Sequence, residues 1–558
     1  MRQQVCAFAV MAGFGLLLPA CVGGLLEPGA VGGPPPAVES PESVVLPEGK
    51  VPVGAPDAEK TIGPPMLRRL TAEQFHRSLV DLLGEGVPEA DILVDPPVFG
   101  FHVDARAGVI RDLDAEQLLN HAERVAEWAV GQPLGRISPC ETPDGSCRRR
   151  FFESFGSRIF RRPLSEAELQ RYEALTADSP TFRDAARVAL TAMIQSPNFL
   201  YRRELGGMED GGRVLSAYEV ATHLSYALTH STPDDELLRA AEEGRLRDSE
   251  DILREMERLL RTEAAREVLG AFLEGWLEID DLAERVKENE NAANFRPEVR
   301  ASMLGESRAL FLELFFNGGT FRDLLSSSTT YLDQTLSQYY QIYGVGGDGF
   351  SPVEIPEGRR APGLLGHGSF LARHALAEQS SPVLRGYTIR KRIMCEEIAP
   401  PPPGIDTMIS PPENATTTRE KYTEHSTNAA CSGCHELMDP IGFTFENFDH
   451  FGRFRDQQNG HPIDTTGRIT PNSQTPPGTA MTIPGGEVPL ADYGDLISFL
   501  SASEEAEACF ARYLTYYLFG VEGIGVTDVV QRARQRGGTL KNFLEAIVTA
   551  DHFTRRTP

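Results

Sequence analysis

Apolar residues recur at helical spacing through most of the chain, with polar residues between them. Three apolar stripes follow capping-box sequences, in which a Ser or Thr stands three residues before a Glu or Gln. These sequences begin at Thr71, Ser165 and Ser216. The tripeptide Thr232-Pro233-Asp234 predicts another helix start, with Thr232 as the cap. Alternating strand patterns are scarce. The pattern therefore predicts a mainly α protein with several helical domains in series.

Breaks in this pattern, where Pro, Gly and polar residues cluster, divide the ordered part of the chain into five regions. Four of them are predicted to be helical domains, and the fourth in chain order is a loop-rich module. In that module a short helix over about 417–428 is expected to run into Cys431. The five predicted regions are 66–135, 136–206, 207–345, 360–470 and 480–558.

The first twenty residues have the pattern of an export signal, with Arg2 ahead of an apolar run that is short for a membrane span. The sequence Leu18-Pro19-Ala20-Cys21 resembles the lipobox of bacterial lipoproteins, in which the cysteine is acylated. Cys21 is therefore the predicted lipidation site, and an ordinary secretory signal is the alternative. Residues 21–65 are rich in Pro and Gly and are predicted to form a disordered tether.

This N-terminus predicts an exported, lipid-anchored protein of the periplasm, outer membrane or cell surface, attached to the membrane through its lipid. The composition adds one exclusion. With 80 acidic against 54 basic residues the formal net charge is −26. Such a surface argues against charge-driven binding of nucleic acid, so no nucleic-acid partner is expected.

One short motif carries specific chemistry, namely Cys431-Ser432-Gly433-Cys434-His435. In such a motif the two thiols add to the vinyl groups of haem, and the histidine binds the iron. The motif predicts one covalent haem c held by Cys431 and Cys434, with His435 as the axial iron ligand. A Cys431–Cys434 disulfide is an alternative. Zinc is a weaker one, because the sequence offers no second ligand pair at close spacing.

The eight cysteines are compatible with this assignment. An exported chain meets an oxidising compartment, where unpaired thiols are uncommon. Once the signal cysteine, the lipidation site and the two haem thiols are set aside, four cysteines remain. Cys140 and Cys147 close a short loop and are predicted to form a disulfide, and Cys395 with Cys509 follows by elimination. The even number would equally fit a disulfide within the motif.

The sixth iron ligand is less defined. Met438 lies three residues beyond His435 and so falls on the same side of the haem. Met481 stands in a later loop that could fold over the opposite face, and it is the tentative distal ligand. An open sixth position is also possible. The competing residues are Met408, His425, His450 and His461.

From Cys431 to Asp449 the sequence is similar to the C-terminal module of planctomycete-type cytochrome proteins, which carry Met-Asp-Pro-Ile-Gly-Phe shortly after the haem motif. Further segments resemble the family in the same order along the chain. They lie at 67–75, 81–84, 160–164, 195–201, 224–228, 233–238, 381–386 and 400–404. These are exported multi-domain proteins of unknown function. The resemblance implies c-type haem at Cys431, Cys434 and His435, and it implies no established reaction.

Three functions follow as hypotheses. The first is an extracytoplasmic, lipid-anchored haem protein that exchanges electrons with an extracytoplasmic redox partner. The second is a haem peroxidase or oxidase with an open sixth iron position. The third is a non-enzymatic surface scaffold or binding lipoprotein, in which Cys431 and Cys434 form a disulfide. Whether the protein is an enzyme stays open, and no sequence signature of a hydrolase supports that class.

Overall fold

The computed structural model describes most of the chain after residue 61. The described residues are 62–89, 92–104, 108–138, 140, 145–209, 211–288, 292–345, 347, 349–356, 358–401, 411–475, 481–521 and 525–558. The predicted signal peptide, Cys21, nearly all of the tether and Met408 lie outside these ranges. All described residues belong to one compact unit, Gly49–Pro558.

The protein is mainly α, as the hydrophobic pattern predicts, with 57% of the residues in helices and only small sheets. The helices of eight or more residues are Ala72–Leu83, Asp112–Gly131, Gly145–Phe160, Glu166–Leu175, Phe182–Ile194, Ala217–Thr229, Asp235–Glu242, Ser249–Leu259, Glu263–Trp276, Pro297–Phe316, Ala429–Phe443, Tyr493–Ala502, Glu504–Phe519, Val526–Gln535 and Leu540–Val548. Among the described helices, none combines the length and hydropathy that a membrane crossing requires.

Shorter elements connect these helices. The short α-helices are Pro197–Leu200, Phe321–Ser326, Gln334–Tyr340, Gly368–Arg373, Pro382–Thr388, Thr418–Lys421, Thr423–Thr427 and Asp551–Thr554. Single 3-10 turns are Leu134–Arg136, Arg245–Arg247, Leu282–Glu284, Ala292–Asn294, Leu364–Gly366 and Pro484–Gly486, and a π turn spans Ile389–Ile393.

The described strands are short and pair antiparallel in small sheets. Two-stranded pairs join Met66–Arg69 to Tyr201–Glu204, Thr329–Leu332 to Ser351–Glu354, Gln457–Gln458 to His461–Pro462, and Gly467–Ile469 to Val488–Leu490. A three-stranded sheet has Gly212–Val214 between Gly207–Glu209 and Arg555–Arg556. The last strand thus joins the C-terminus to the strand Gly212–Val214.

The predicted helix starts are confirmed at the three capping boxes, where the side chains of Thr71, Ser165 and Ser216 each accept a hydrogen bond from the backbone three residues on. The start predicted at Thr232 is wrong by two residues. Asp234 is the cap, and its carboxylate accepts from the Leu237 backbone at 2.8 Å. The Thr232 hydroxyl instead donates to a carbonyl of another helix, and an aspartate is an equally good cap.

Two of the described hydrophobic cores hold most of the buried side chains. The smaller one collects residues between Leu70 and Leu200, together with Tyr226. The larger one unites helices of the predicted central and C-terminal regions; for example, Trp276 packs edge-on against Phe510 with ring centroids 5.1 Å apart. Residues far apart in sequence therefore share one interior.

Both predicted disulfides are confirmed. Cys140 is bonded to Cys147 across the short loop. Cys395 is bonded to Cys509 in the helix Glu504–Phe519, with a sequence separation of 114 residues. The second bond ties the chain after the π turn Ile389–Ile393 to the C-terminal helices.

Candidate functional site

The motif lies at the start of the helix Ala429–Phe443, here called the motif helix. Asn428 caps it, and its side chain accepts a hydrogen bond from the Ala430 backbone at 3.0 Å. Residues three apart share a helix face, so Cys431 and Cys434 are neighbours on one side of its first turns. His435 follows immediately. The cap therefore fixes where the three motif side chains emerge.

The two motif cysteines are free thiols and are partly exposed. The other described cysteines are joined in disulfides. Gly433, between the thiols, is exposed, and a β-carbon built on it would meet nothing within 4 Å. The side-chain amide of Gln474 donates to the Cys434 sulfur at 3.5 Å. The structure therefore leaves both thiols open to a covalent partner and does not join them to each other.

His435, itself half-buried, takes part in a three-residue cluster with the buried His425 and Asp439, here called the histidine–aspartate clasp. Nδ1 of His435 lies 3.0 Å from Oδ1 of Asp439, and Nδ1 of His425 lies 2.7 Å from Oδ2. The centroids of the two imidazole rings are 3.5 Å apart. Each histidine thus uses a different oxygen of the same carboxylate.

The local fold explains how the clasp forms. Asp439 stands one helical turn after His435, so its carboxylate reaches back along the same face. His425 lies on the short helix Thr423–Thr427, and the chain turns at Asn428 into the motif helix. From the sequence, His425 is expected only as a competing distal ligand, and no motif assigns Asp439 a role at the haem. The i, i+4 spacing of His435 and Asp439 was the signal that could have found it.

Two buried arginines bind backbone carbonyls in the motif helix and in the segment after it. Arg385 lies in Pro382–Thr388, here called the packing helix, and Arg390 lies in the π turn that follows it. Arg385 is fully buried and donates to the carbonyls of Phe445 and Phe448 at 3.0 and 2.9 Å. Arg390, also fully buried, donates to the Leu437 carbonyl at 2.9 Å and pairs with Glu396 at 2.7 Å. These two arginines therefore support the motif helix and the segment after it from the interior.

Two glycines let the motif helix and the packing helix approach closely. A β-carbon on Gly386 would lie 1.9 Å from the Met438 carbonyl oxygen, and one on Gly442 would lie 1.9 Å from the Pro382 carbonyl oxygen. Neither glycine has a positive φ, so the requirement is space rather than backbone conformation. The position of the clasp depends on this backbone-to-backbone contact.

Met481, the tentative distal ligand, is buried in the larger core. Its backbone N–H donates to Glu396 at 3.2 Å, and its sulfur accepts from the Ser503 hydroxyl at 3.9 Å. Burial raises the pKa of Glu396, against the opposing charge of Arg390. Among the described contacts none joins Met481 to His435. Its role as a ligand stays a prediction.

Of the competing ligands, His425 lies in the clasp beside His435. His450 is buried with its ring tilted against Phe451 at 4.1 Å between centroids, whereas His461 is exposed in a two-residue strand. Met438 is buried in the motif helix.

The residues present fit a c-type haem. Covalent attachment needs two reactive thiols at this spacing, and both are free. Iron ligation needs one bare imidazole nitrogen, and the Nδ1 contact of His435 leaves Nε2 for that use. Among the described hydrogen bonds none involves Nε2 of His435. A metal-binding histidine usually has its second nitrogen on a carboxylate or carbonyl, as here.

Known protein families match several separate segments of the chain. Four family models match segments of the chain, each described as a protein of unknown function. They are PSD3 (DUF1587) over 68–131, PSD5 (DUF1595) over 147–204, PSD4 (DUF1592) over 215–342, and PSCyt3 (DUF1588) over 360–458. No curated protein and no solved structure matches.

The matches and the fold define a class: a mainly α protein with a series of segments that match planctomycete cytochrome-type families. Each match falls inside one of the regions that the sequence pattern predicts. The cytochrome-like PSCyt3 segment contains Cys431, Cys434 and His435. This agrees with the resemblance read from the sequence.

Proposed function

We propose that this chain is an extracytoplasmic c-type haem protein that transfers electrons and is held at a membrane by lipid on Cys21. One observation carries the haem part of the proposal. Of the described cysteines, the only free ones are Cys431 and Cys434, and they stand directly before a histidine in the cytochrome-like segment. The lipid anchor rests on the lipobox-like sequence alone.

Each residue has a separate role in this proposal. The thiols of Cys431 and Cys434 each add across a vinyl group, so that one carbon–sulfur bond forms and the thiol hydrogen moves to the neighbouring carbon. Nε2 of His435 serves as the axial ligand. The bound haem supplies one-electron chemistry, and the protein tunes it through ligands, hydrogen bonds and burial. The electron partner is expected to be another extracytoplasmic redox protein.

Spectroscopy of protein made with a haem-maturation system tests the attachment. We expect a haem spectrum that persists after denaturing extraction in the native chain and is lost in the Cys431→Ala, Cys434→Ala double variant. Ser432→Ala is the matched control, because it alters the same helical turn without removing a thiol, and it should retain the haem. Complete extraction of haem from the native chain would refute the proposal.

The buried position of Met481 supports a second candidate, a haem enzyme with an open sixth position. The Met481 sulfur faces the Ser503 hydroxyl within the core. An open position would let small ligands reach the iron. Spectra of the native holoprotein and of its Met481→Leu variant distinguish the two candidates. This substitution conserves side-chain volume. A changed low-spin spectrum supports methionine ligation and electron transfer, whereas an unchanged spectrum that shifts with carbon monoxide supports the enzyme.

A further inference from the structure

Asp439 pairs with histidines, whereas two nearby carboxylates pair with arginines. Asp439 is 5% exposed, and in the described ion pairs it joins only His425 and His435. Two nearby carboxylates behave differently, because Glu446 pairs with Arg455 at 2.9 Å and Asp449 pairs with Arg453 at 2.8 Å. No guanidinium therefore shares the negative charge of Asp439 among the described contacts, and that charge acts on the two imidazoles.

The contacts of His425 also indicate its role beside His435. Both Nδ1 atoms meet the same carboxylate, and the imidazole rings lie 3.5 Å apart. In the clasp His425 lies beside His435, so it would support His435 in holding a haem rather than compete with it for the iron.

A carboxylate on the second nitrogen changes a metal-bound imidazole. It orients the ring, fixes the proton on Nδ1 and raises the basicity of Nε2. A more basic ligand, with a negative charge behind it, stabilises the more positive oxidation state of the iron. His425 donates to the other oxygen, which holds the carboxylate in place and draws off part of its charge.

We propose that Asp439 is a positioning residue that orients His435 and lowers the reduction potential of the haem, and that His425 moderates its effect. This inference rests on the proposed function, since it assumes that His435 binds haem iron. It concerns residues to which the family resemblance assigns no role. No bond is made or broken in this tuning, and the electron comes from the redox partner.

Two substitutions are expected to shift the midpoint potential in opposite directions. Asp439→Asn keeps the side-chain shape and an acceptor for His435, but it removes the charge. Loss of such a carboxylate partner typically weakens metal binding by roughly 10–100-fold. If binding of the oxidised iron weakens about tenfold and binding of the reduced iron is unchanged, the midpoint potential rises by about 60 mV. A tenfold change in affinity corresponds to about 59 mV for one electron.

His425→Phe keeps a flat ring against His435 and removes one donor to the carboxylate. More charge then remains for His435, and the potential should fall. The matched control is Glu436→Gln on the motif helix. It removes a negative charge next to His435 in sequence, but Glu436 is exposed and pairs with Arg468 at 3.0 Å. It should shift the potential by less than a third of the Asp439→Asn effect.

Spectroelectrochemical titration of the full-length holoprotein gives the potentials, and denaturing extraction gives the covalent haem content of each variant. Opposite shifts support the proposal, because general disturbance of the site would move both variants the same way. Equal potentials in native protein and Asp439→Asn, with haem attached in both, overturn it while the proposed function stands. Absence of covalent haem from the native chain overturns the proposed function itself. If Asp439→Asn fails to fold, an unchanged or raised potential in His425→Phe overturns the inference.

Discussion

At the scale of single residues, Glu204 connects the two ends of the described chain. It is 1% exposed and pairs with Arg68 at 2.9 Å in the strand next to it, and with Arg556 near the C-terminus. Burial alone would raise its pKa, but the positive charges of Arg68 and its other neighbours hold the pKa of Glu204 well below its ordinary value. The carboxylate is therefore ionised, and it balances the charges of several buried arginines.

Glu204→Gln is expected to destabilise the protein strongly. Removing one partner of a buried ionic group leaves uncompensated charge, which costs about 3–5 kcal/mol. Arg202, also buried, would add to the repulsion. Thermal unfolding followed by circular dichroism measures the effect.

The control for that measurement is Glu166→Gln, an exposed carboxylate that pairs with Arg149 at 2.8 Å. It should leave the unfolding temperature nearly unchanged. Equal behaviour of the two variants would contradict the role assigned to Glu204.

The roles of individual residues could be predicted from the sequence only where the partners lie close together in the chain. The spacing of Cys431, Cys434 and His435 and the short Cys140–Cys147 loop state their chemistry directly. The clasp required more information, because His425 and His435 meet only after the chain turns at Asn428. Glu204 gave no sequence signal either, since its partners lie 136 and 352 positions away.

At the scale of elements, the motif helix is held in place by its contact with the packing helix. The contact is made at glycines, where the backbone of one helix meets the backbone of the other. The motif helix also continues through Pro440, which lacks the N–H that a helix needs.

Gly442→Ala and Gly433→Ala are expected to have opposite effects although both lie in the motif helix. Alanine is favoured over glycine in a helix by about 1 kcal/mol. At Gly433 nothing opposes this gain, so the unfolding temperature of the haem-free protein should rise slightly. At Gly442 the clash with Pro382 should exceed it and cost about 1–3 kcal/mol net, as overpacking does. Thermal unfolding of both variants checks the signs, and a stabilised Gly442→Ala would contradict the close contact.

Sequence periodicity predicted most long helices but not the local geometry near the motif. The helix expected over about 417–428 is divided into Thr418–Lys421 and Thr423–Thr427. The segment after Ser381 forms the helix Pro382–Thr388 and continues as a π turn, Ile389–Ile393. Such changes depend on tertiary contacts, which a pattern of apolar positions does not contain.

At the scale of the whole molecule, several of the regions predicted from sequence contribute residues to the same hydrophobic core. Helices of the central and C-terminal regions pack together in the larger core. Amphipathic stripes identify a buried face, but they do not identify the element that covers it. The lipid anchor and the tether lie outside the described residues, so they stay predictions from the sequence.

Buried neutral histidines should make this interior sensitive to acid. Burial lowers the pKa of His367 to about 4 and that of His374 to about 3, and both side chains are almost fully enclosed. In the unfolded chain they titrate near 6.5, so between about pH 6.5 and 4 the unfolded state binds more protons. Stability is complete above pH 6.5 and falls as the pH drops toward 4.

Each pKa unit corresponds to about 1.4 kcal/mol, so the two residues together should remove several kcal/mol over that range. Denaturant unfolding of the haem-free protein at pH 7, 5.5 and 4.5 measures the loss. A free energy of unfolding that is constant or rises on acidification would contradict the assignment of neutral, buried imidazoles.

The central claim is that Cys431 and Cys434 bind one haem covalently, and intact-mass spectrometry under denaturing conditions tests it most directly. The native chain and the Cys431→Ala, Cys434→Ala double variant are purified from one haem-attaching, exporting host. The account predicts that the native chain carries the added mass of one haem and that the double variant carries none. A native chain without that added mass, or the same added mass in both proteins, would contradict it.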